Sequence, residues 1–211
     1  YLSNFPVIYL TSVAMAAFRL DPAAAKSFGD YLRKGGFAIL DNGLPWYSMT
    51  PAKASFLGLI ADSLGDDAVI EPFDPMDALF HIFFSFEGNP PDGASSWADS
   101  IKLERPDYGD LLDDSKVNRL MKTVAAHPGA LFAIKLDNRI VAIYSDFGYG
   151  HIWAQRSVRG KKKNEEFDAT GSEVMDPSYA MGVNMILFAM RQKGGKTKLI
   201  SEYSTPPLGS Q

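Results

Sequence analysis

Two short apolar runs, Phe5-Pro6-Val7-Ile8-Tyr9-Leu10 and Phe37-Ala38-Ile39-Leu40, each end in polar residues: Thr11-Ser12 after the first, Asp41-Asn42-Gly43 after the second. Runs this short and continuous suit strands buried on both faces of a parallel sheet. Between them Asp21-Pro22 offers an N-cap with a first-turn proline. Phe28, Tyr31 and Leu32 then share a helical face, and Gly35-Gly36 ends the helix. Strand, helix, strand predicts a right-handed βαβ unit with its two strands adjacent and parallel. Asp41 would then stand at a strand's carboxyl end, the edge where open α/β sheets bind ligands.

Further along, a loop with Trp46 and Tyr47 leads to Thr50-Pro51, a second cap and first-turn proline, and Phe56, Leu57, Ile60 and Leu64 share a face of the helix that Gly65 closes. Ala68-Val69-Ile70 suits a short strand. The run 78–86, with Phe80, Phe83, Phe84 and Phe86, is too aromatic to lie exposed and fits neither period. Residues 87–108 are rich in Gly, Pro, Asp and Ser and predict an irregular excursion. A helix carrying Val117, Leu120, Met121 and Val124 is expected before His127-Pro128-Gly129. The β-rich runs 131–136 and 139–145, joined by Asp137-Asn138, signal a hairpin. Asp146 ends it, and Phe147-Gly148-Tyr149-Gly150-His151-Ile152-Trp153 reads as a loop ahead of a polar stretch. Asp176-Pro177 caps the last helix, with Tyr179, Val183, Ile186, Leu187 and Met190 as its apolar stripe. The pattern predicts an α/β three-layer sandwich with a largely parallel sheet and one antiparallel hairpin, forming a single domain over 1–193 with an extended tail over 194–211.

Composition adds mainly exclusions. The 211 residues, 46% hydrophobic and 22% charged, suffice for one sizeable core. A formal net charge of -4 gives no general attraction for nucleic acid, and the basic run Arg159-Gly160-Lys161-Lys162-Lys163 is followed at once by Glu165-Glu166, as in a solvated loop. No apolar stretch is long enough to span a membrane. The absence of cysteine removes disulfides, thiolate metal sites and cysteine nucleophiles together. Gly194-Gly195-Lys196-Thr197 lacks the upstream glycine and preceding strand of a phosphate loop, and three scattered histidines have no ligand spacing. No cofactor and no metal is predicted.

Three separated segments carry a family resemblance: the run from Phe5 to Leu10, then Tyr31-Leu32-Arg33-Lys34-Gly35-Gly36-Phe37-Ala38-Ile39-Leu40-Asp41-Asn42, and then Tyr179-Ala180-Met181-Gly182-Val183-Asn184-Met185-Ile186-Leu187-Phe188-Ala189. Together they resemble the bacterial domain of unknown function DUF4159, which is similar to the class I glutamine amidotransferase-like, flavodoxin-like fold. The resemblance implies a strand and helix ahead of the segment beginning at Phe5, and a chain starting at Tyr1 is therefore expected to lack them. It also implies a location in the cell envelope. Amidotransferases place a nucleophilic cysteine where this chain has Asp41-Asn42-Gly43, so glutaminase chemistry is excluded.

The candidate site gathers residues expected at the carboxyl ends of strands. Asp41 and Asp146 share one edge if their strands run parallel, where a carboxylate pair could hold a metal or do acid/base work; alternatively each caps a turn or helix. His151 lies in a glycine-flanked loop, and Asn42, Trp46, Tyr149 and Trp153 complete the predicted binding surface. His81, amid aromatics, is expected to be a hydrogen-bonded core residue. The favoured reading is a non-catalytic binding or assembly domain; the alternative is a hydrolase using Asp41 and His151, with or without a metal. An unpaired first strand exposes backbone groups, so a protein partner or the missing N-terminal segment is expected against residues 5–10.

Overall fold

The computed structural model describes residues 2–14, 16–43, 50–87, 89–94, 106–159, 177–192 and 194–195. Trp46, Asp176, the polar stretch 160–176 and the tail from 196 onward lie outside them. The first unit is strand β1 (Val7–Ser12), helix α1 (Pro22–Arg33) and strand β2 (Phe37–Asn42). Asp21 caps α1, its side chain accepting from the N–H groups of Ala23 and Ala24, and Pro22 takes the first turn. The two glycines that end α1 do different work. Gly35 turns the chain at φ 93°, whereas a Cβ on Gly36 would stand 2.3 Å from the Tyr31 ring. That close approach lets the Tyr31 hydroxyl donate to Phe37 O and accept from Phe37 N–H, fixing the helix against the start of β2.

Helix α2 (Pro51–Leu64) follows, capped by Thr50, then strand β3 (Val69–Pro72), helix α3 (Ser115–Ala125), strands β4 (Leu131–Leu136) and β5 (Arg139–Ser145), and helices α4 (Tyr149–Arg159) and α5 (Pro177–Met190). The sheet is five-stranded and mixed, in the order β1-β2-β5-β4-β3. β1, β2 and β5 run parallel, while β4 is antiparallel to both β5 and β3. Asp137 and Asn138, at φ 49° and 62°, make the tight β4–β5 turn that these residue types favour. Alternation along β2 divides the core. Ala38 and Leu40 face α1, α2 and α3, whereas Phe37 and Ile39 face α5 and Tyr149. Helices on both faces are compatible with a three-layer sandwich.

Helix α2 is buried around almost its whole circumference. Its outer side is covered by the stretch around Phe18, whose N–H donates to Ser55 Oγ and whose ring meets Phe56 edge-on. Arg19 pins this cover down, reaching Asp62 through two bonds of 2.9 and 2.8 Å, Asp110 at 3.2 Å and Asp114 at 2.9 Å.

Several expectations change. The stretch read as a loop from Phe147 to Trp153 is a turn at 146–148 followed by the first turns of α4; Gly148 takes φ 64° there, and the two glycines masked a helical start. The inward face of α5 is Met181, Met185, Phe188 and Ala189, while Ile186 is exposed. This helix is apolar all round, so periodicity could not choose its face. The aromatic run 78–86 forms a 3₁₀ turn (Ala78–Phe80) and then bends, with Phe83 exposed. His81 is hydrogen-bonded to Ser85 and Pro75 but lies exposed rather than in the core.

Candidate functional site

The carboxyl ends of β2 and β5 meet, as their parallel pairing requires. The register sets Asp41 beside both Thr11 and Ser145. On the α4–α5 face, Asp41 is fully buried. Its Oδ1 accepts from the Ser145 hydroxyl at 2.7 Å, and its Oδ2 from the Tyr9 hydroxyl at 2.8 Å and the Gly150 N–H at 2.9 Å. Asp41 therefore caps α4, a helix that begins more than a hundred residues after it, rather than the helix following its own strand. Gly150 is required for this approach, since a Cβ there would stand 2.4 Å from the Tyr9 hydroxyl. Burial pushes the Asp41 carboxyl above its ordinary range, opposed by the donated hydrogen bonds. Burial, followed by the charge of Asp41, likewise raises the Tyr9 hydroxyl, so that Tyr9 acts as a donor and not as a base.

The other face of the same edge holds a second polar group. Asn42 Nδ2 donates to Asp146 Oδ1 at 2.8 Å, Tyr144 donates to the same oxygen at 2.6 Å, and the Lys53 ammonium stands 2.5 Å from Oδ2. The Thr50 hydroxyl donates to Asn42 Oδ1 at 3.1 Å and accepts from Lys53 N–H at 3.0 Å, so the cap of α2 is tied into the cluster. The Lys53 side chain is 8% exposed and that of Asp146 21%. Burial, and then the neighbouring Asp146, hold the Tyr144 hydroxyl well above its usual range.

Asp41 and Asp146 thus share an edge but face opposite sides of the sheet, each with its own donors. Asn42 joins the Asp146 cluster. His151 sits half-buried in the first turn of α4 and is not among the groups bonded to Asp41. Tyr149 is fully buried and donates to Pro91 O at 2.8 Å. Trp153 packs between Tyr9, Tyr149 and Tyr179, and its Nε1 donates to Ser178 O at 3.2 Å. Among the described residues, no group of three or more His, Asp or Glu side chains is placed to hold a metal ion, and no helix is long and apolar enough to cross a membrane.

Four residues escaped the sequence reading. Ser145 and Tyr9 carried one signal, since alternation from Asp41 and Phe37 through the register places them on its face. Lys53 carried another: a lone cation in the first turn of an apolar helix opposes the helix dipole and calls for a paired acid. Asn184 is the fourth. It lies fully buried in α5, donating to Leu79 O and Phe84 O at 2.9 and 2.8 Å and accepting from Phe84 N–H at 2.9 Å. The helix segment Gly182-Val183-Asn184 therefore has an internal role. Gly182 makes room for Trp153, whose ring would come within 2.7 Å of a Cβ there, and Asn184 fixes the aromatic bend.

A family model described as "Domain of unknown function (DUF4159)" matches residues 1–190. The chain belongs to this family. The match takes in all five strands of the described sheet and every residue of both polar clusters. No curated protein matches the chain.

Proposed function

We propose that this DUF4159 chain is a non-catalytic binding or assembly domain on a flavodoxin-like, class I glutamine amidotransferase-like scaffold without the nucleophilic cysteine. The observation that carries this reading is the state of Asp41. This residue, at the carboxyl end of β2, is fully buried, and both its oxygens are spent on Tyr9, Ser145 and the start of α4. A general base or metal ligand needs a lone pair aimed at substrate; this carboxylate is directed inward. The same observation weighs against the hydrolase alternative, which needs Asp41 to work with His151.

Binding on this reading uses what remains part-exposed at that edge: Asp146, with the buried Lys53 as its ion-pair partner, and His151. A partner or a further chain segment adds along β1, which forms one end of the described sheet and has the exposed Phe5 and Val13 beside it. The test is turnover. Purified protein offered chromogenic esters, amides and phosphomonoesters, with and without divalent cations, should give no rate above the protein-free control. Turnover that falls at least about tenfold in His151→Ala, with the melting temperature retained, would overturn the reading. Because the chain has no cysteine, a spin label at Val13→Cys reports the β1 edge without background. The label should become immobile in the natural assembly and stay mobile if nothing covers that edge.

A further inference from the structure

The opposite edge of the sheet holds a cavity of about 620 Å³ where the end of α1, the β4–β5 turn and the residues after α5 converge. Arg33, Asp137, Asn138, Arg139, Gln192 and Gly194 line it. Arg139 is the unusual member. One guanidinium nitrogen, Nη2, donates to Leu32 O at the end of α1, while Nη1 is buried and has no hydrogen-bond partner among the described residues. Among the described residues no carboxylate stands within ion-pair distance of it; Asp137, in the same wall, acts on it through its charge without touching it. Leaving a charged donor buried and unmatched costs more than leaving a neutral one, so the group is poised for an acceptor.

The neighbours do not supply one. Arg33 directs its own guanidinium to Ser63 O and Leu64 O, with Asp67 at 3.8 Å, and adds positive charge to the wall. Gln192 donates its amide nitrogen to Phe188 O, and its oxygen makes no hydrogen bond with Arg139 Nη1. Lys34 and Arg191 flank lining residues in the chain, so cations outnumber the carboxylates Asp137 and Asp67 at this corner of a protein whose formal net charge is -4. Asp137, Asn138 and Gly194 all hold positive φ in this frame.

The geometry points to a binding site for a small oxyanion, a carboxylate or a phosphate group, on Arg139 in this cavity. Both chemistries present paired oxygens of the kind a guanidinium recognises. The site is separate from the Asp41 and Asp146 edge and does not depend on the function proposed for it.

The test titrates the whole protein with sodium phosphate and, separately, sodium acetate, at ionic strength held constant with sodium chloride. Melting temperature and backbone amide shifts are the readouts. A saturable rise in melting temperature is expected, with shifts confined to residues 136–139 and 191–195, and the anion that saturates at lower concentration identifies the source. Arg139→Gln should weaken binding by at least about tenfold. A response that never saturates, that chloride reproduces, or that survives Arg139→Gln overturns the proposal. Should Arg139→Gln fail to fold, Gln192→Glu replaces it by placing a carboxylate beside the guanidinium. That variant should melt higher and lose the response to added anion, and an unchanged response overturns the site.

Discussion

Removing the carboxylate of Asp41 separates a structural cap from a reserve for chemistry. In Asp41→Ala three buried donors lose their acceptor: the hydroxyls of Ser145 and Tyr9 and the N–H of Gly150. The hydroxyls can turn towards other acceptors, but the Gly150 N–H is fixed by the backbone of α4 and is stranded, at about 1–3 kcal/mol. Loss of a helix cap adds about 1 kcal/mol, and the small void left by the side chain adds to this. The expected destabilisation is about 3–5 kcal/mol, read as the fall in unfolding free energy from urea titration. Asp41→Asn keeps the shape. Its oxygen still accepts from Tyr9 and Gly150, while its amide donates to Ser145, whose hydroxyl turns to accept, so the cost at neutral pH should stay below about 1 kcal/mol. A loss under about 1 kcal/mol in Asp41→Ala would show that the carboxylate is not needed to hold the edge together, and the argument against Asp41 as a reacting group would fall with it.

Four further outcomes follow from the same geometry. The native state holds the Asp41 proton more tightly than the unfolded chain, so the stability contributed by this group falls as pH rises from about 4, the unfolded carboxylate value, through its raised native pKa, and is level above it. Melting curves of Asp41→Asn minus wild type should therefore become more positive across that window, and a flat or falling difference contradicts the direction. Lys53→Met leaves Asp146 without its cation and should cost about 2–4 kcal/mol in chemical denaturation, less than for a fully enclosed pair because Asp146 keeps some solvent; a change below about 1 kcal/mol would mean the pair is idle. Asn184→Ala removes three bonds to the aromatic bend and should cost about 3 kcal/mol, with hydrogen exchange at the Phe84 amide accelerating; unchanged exchange would refute the clamp. Gly182→Ala forces Trp153 to move and should cost about 1–3 kcal/mol with a shift in tryptophan emission, whereas an unperturbed spectrum would show slack in the packing.

The sequence made the βαβ unit, the capped starts of α1 and α2 and the β4–β5 hairpin readable because each rests on local chemistry: a capping aspartate or threonine before proline, paired glycines, an Asp-Asn turn. The α4 start was hidden because its cap is not local. Asp41 does the work that a residue at 147 or 148 would otherwise do, and no window along the chain contains both partners. The same holds for Arg19, whose three acids lie 43, 91 and 95 residues away. For the candidate site, residue type placed Asp41 and Asp146 at the ends of strands, and β2–β5 pairing brings the two to one edge. Their assignment to opposite faces follows from strand alternation only once the register is known, because a slip of one residue would put them on the same side.

The placement of β2 between β1 and β5 also governs when the domain can form. During synthesis β1, α1 and β2 can assemble early, yet the strand that occupies the second flank of β2 is still to come: Ser145 follows Asp41 by 104 residues. At roughly 5–20 residues per second, that interval is on the order of 5–20 s. Throughout it, the apolar run 37–40 waits with one row of amides and one buried-to-be carboxylate open to water. The nascent chain is therefore most exposed to mispairing in its middle, and the last strand to emerge is the one that closes the centre of the sheet.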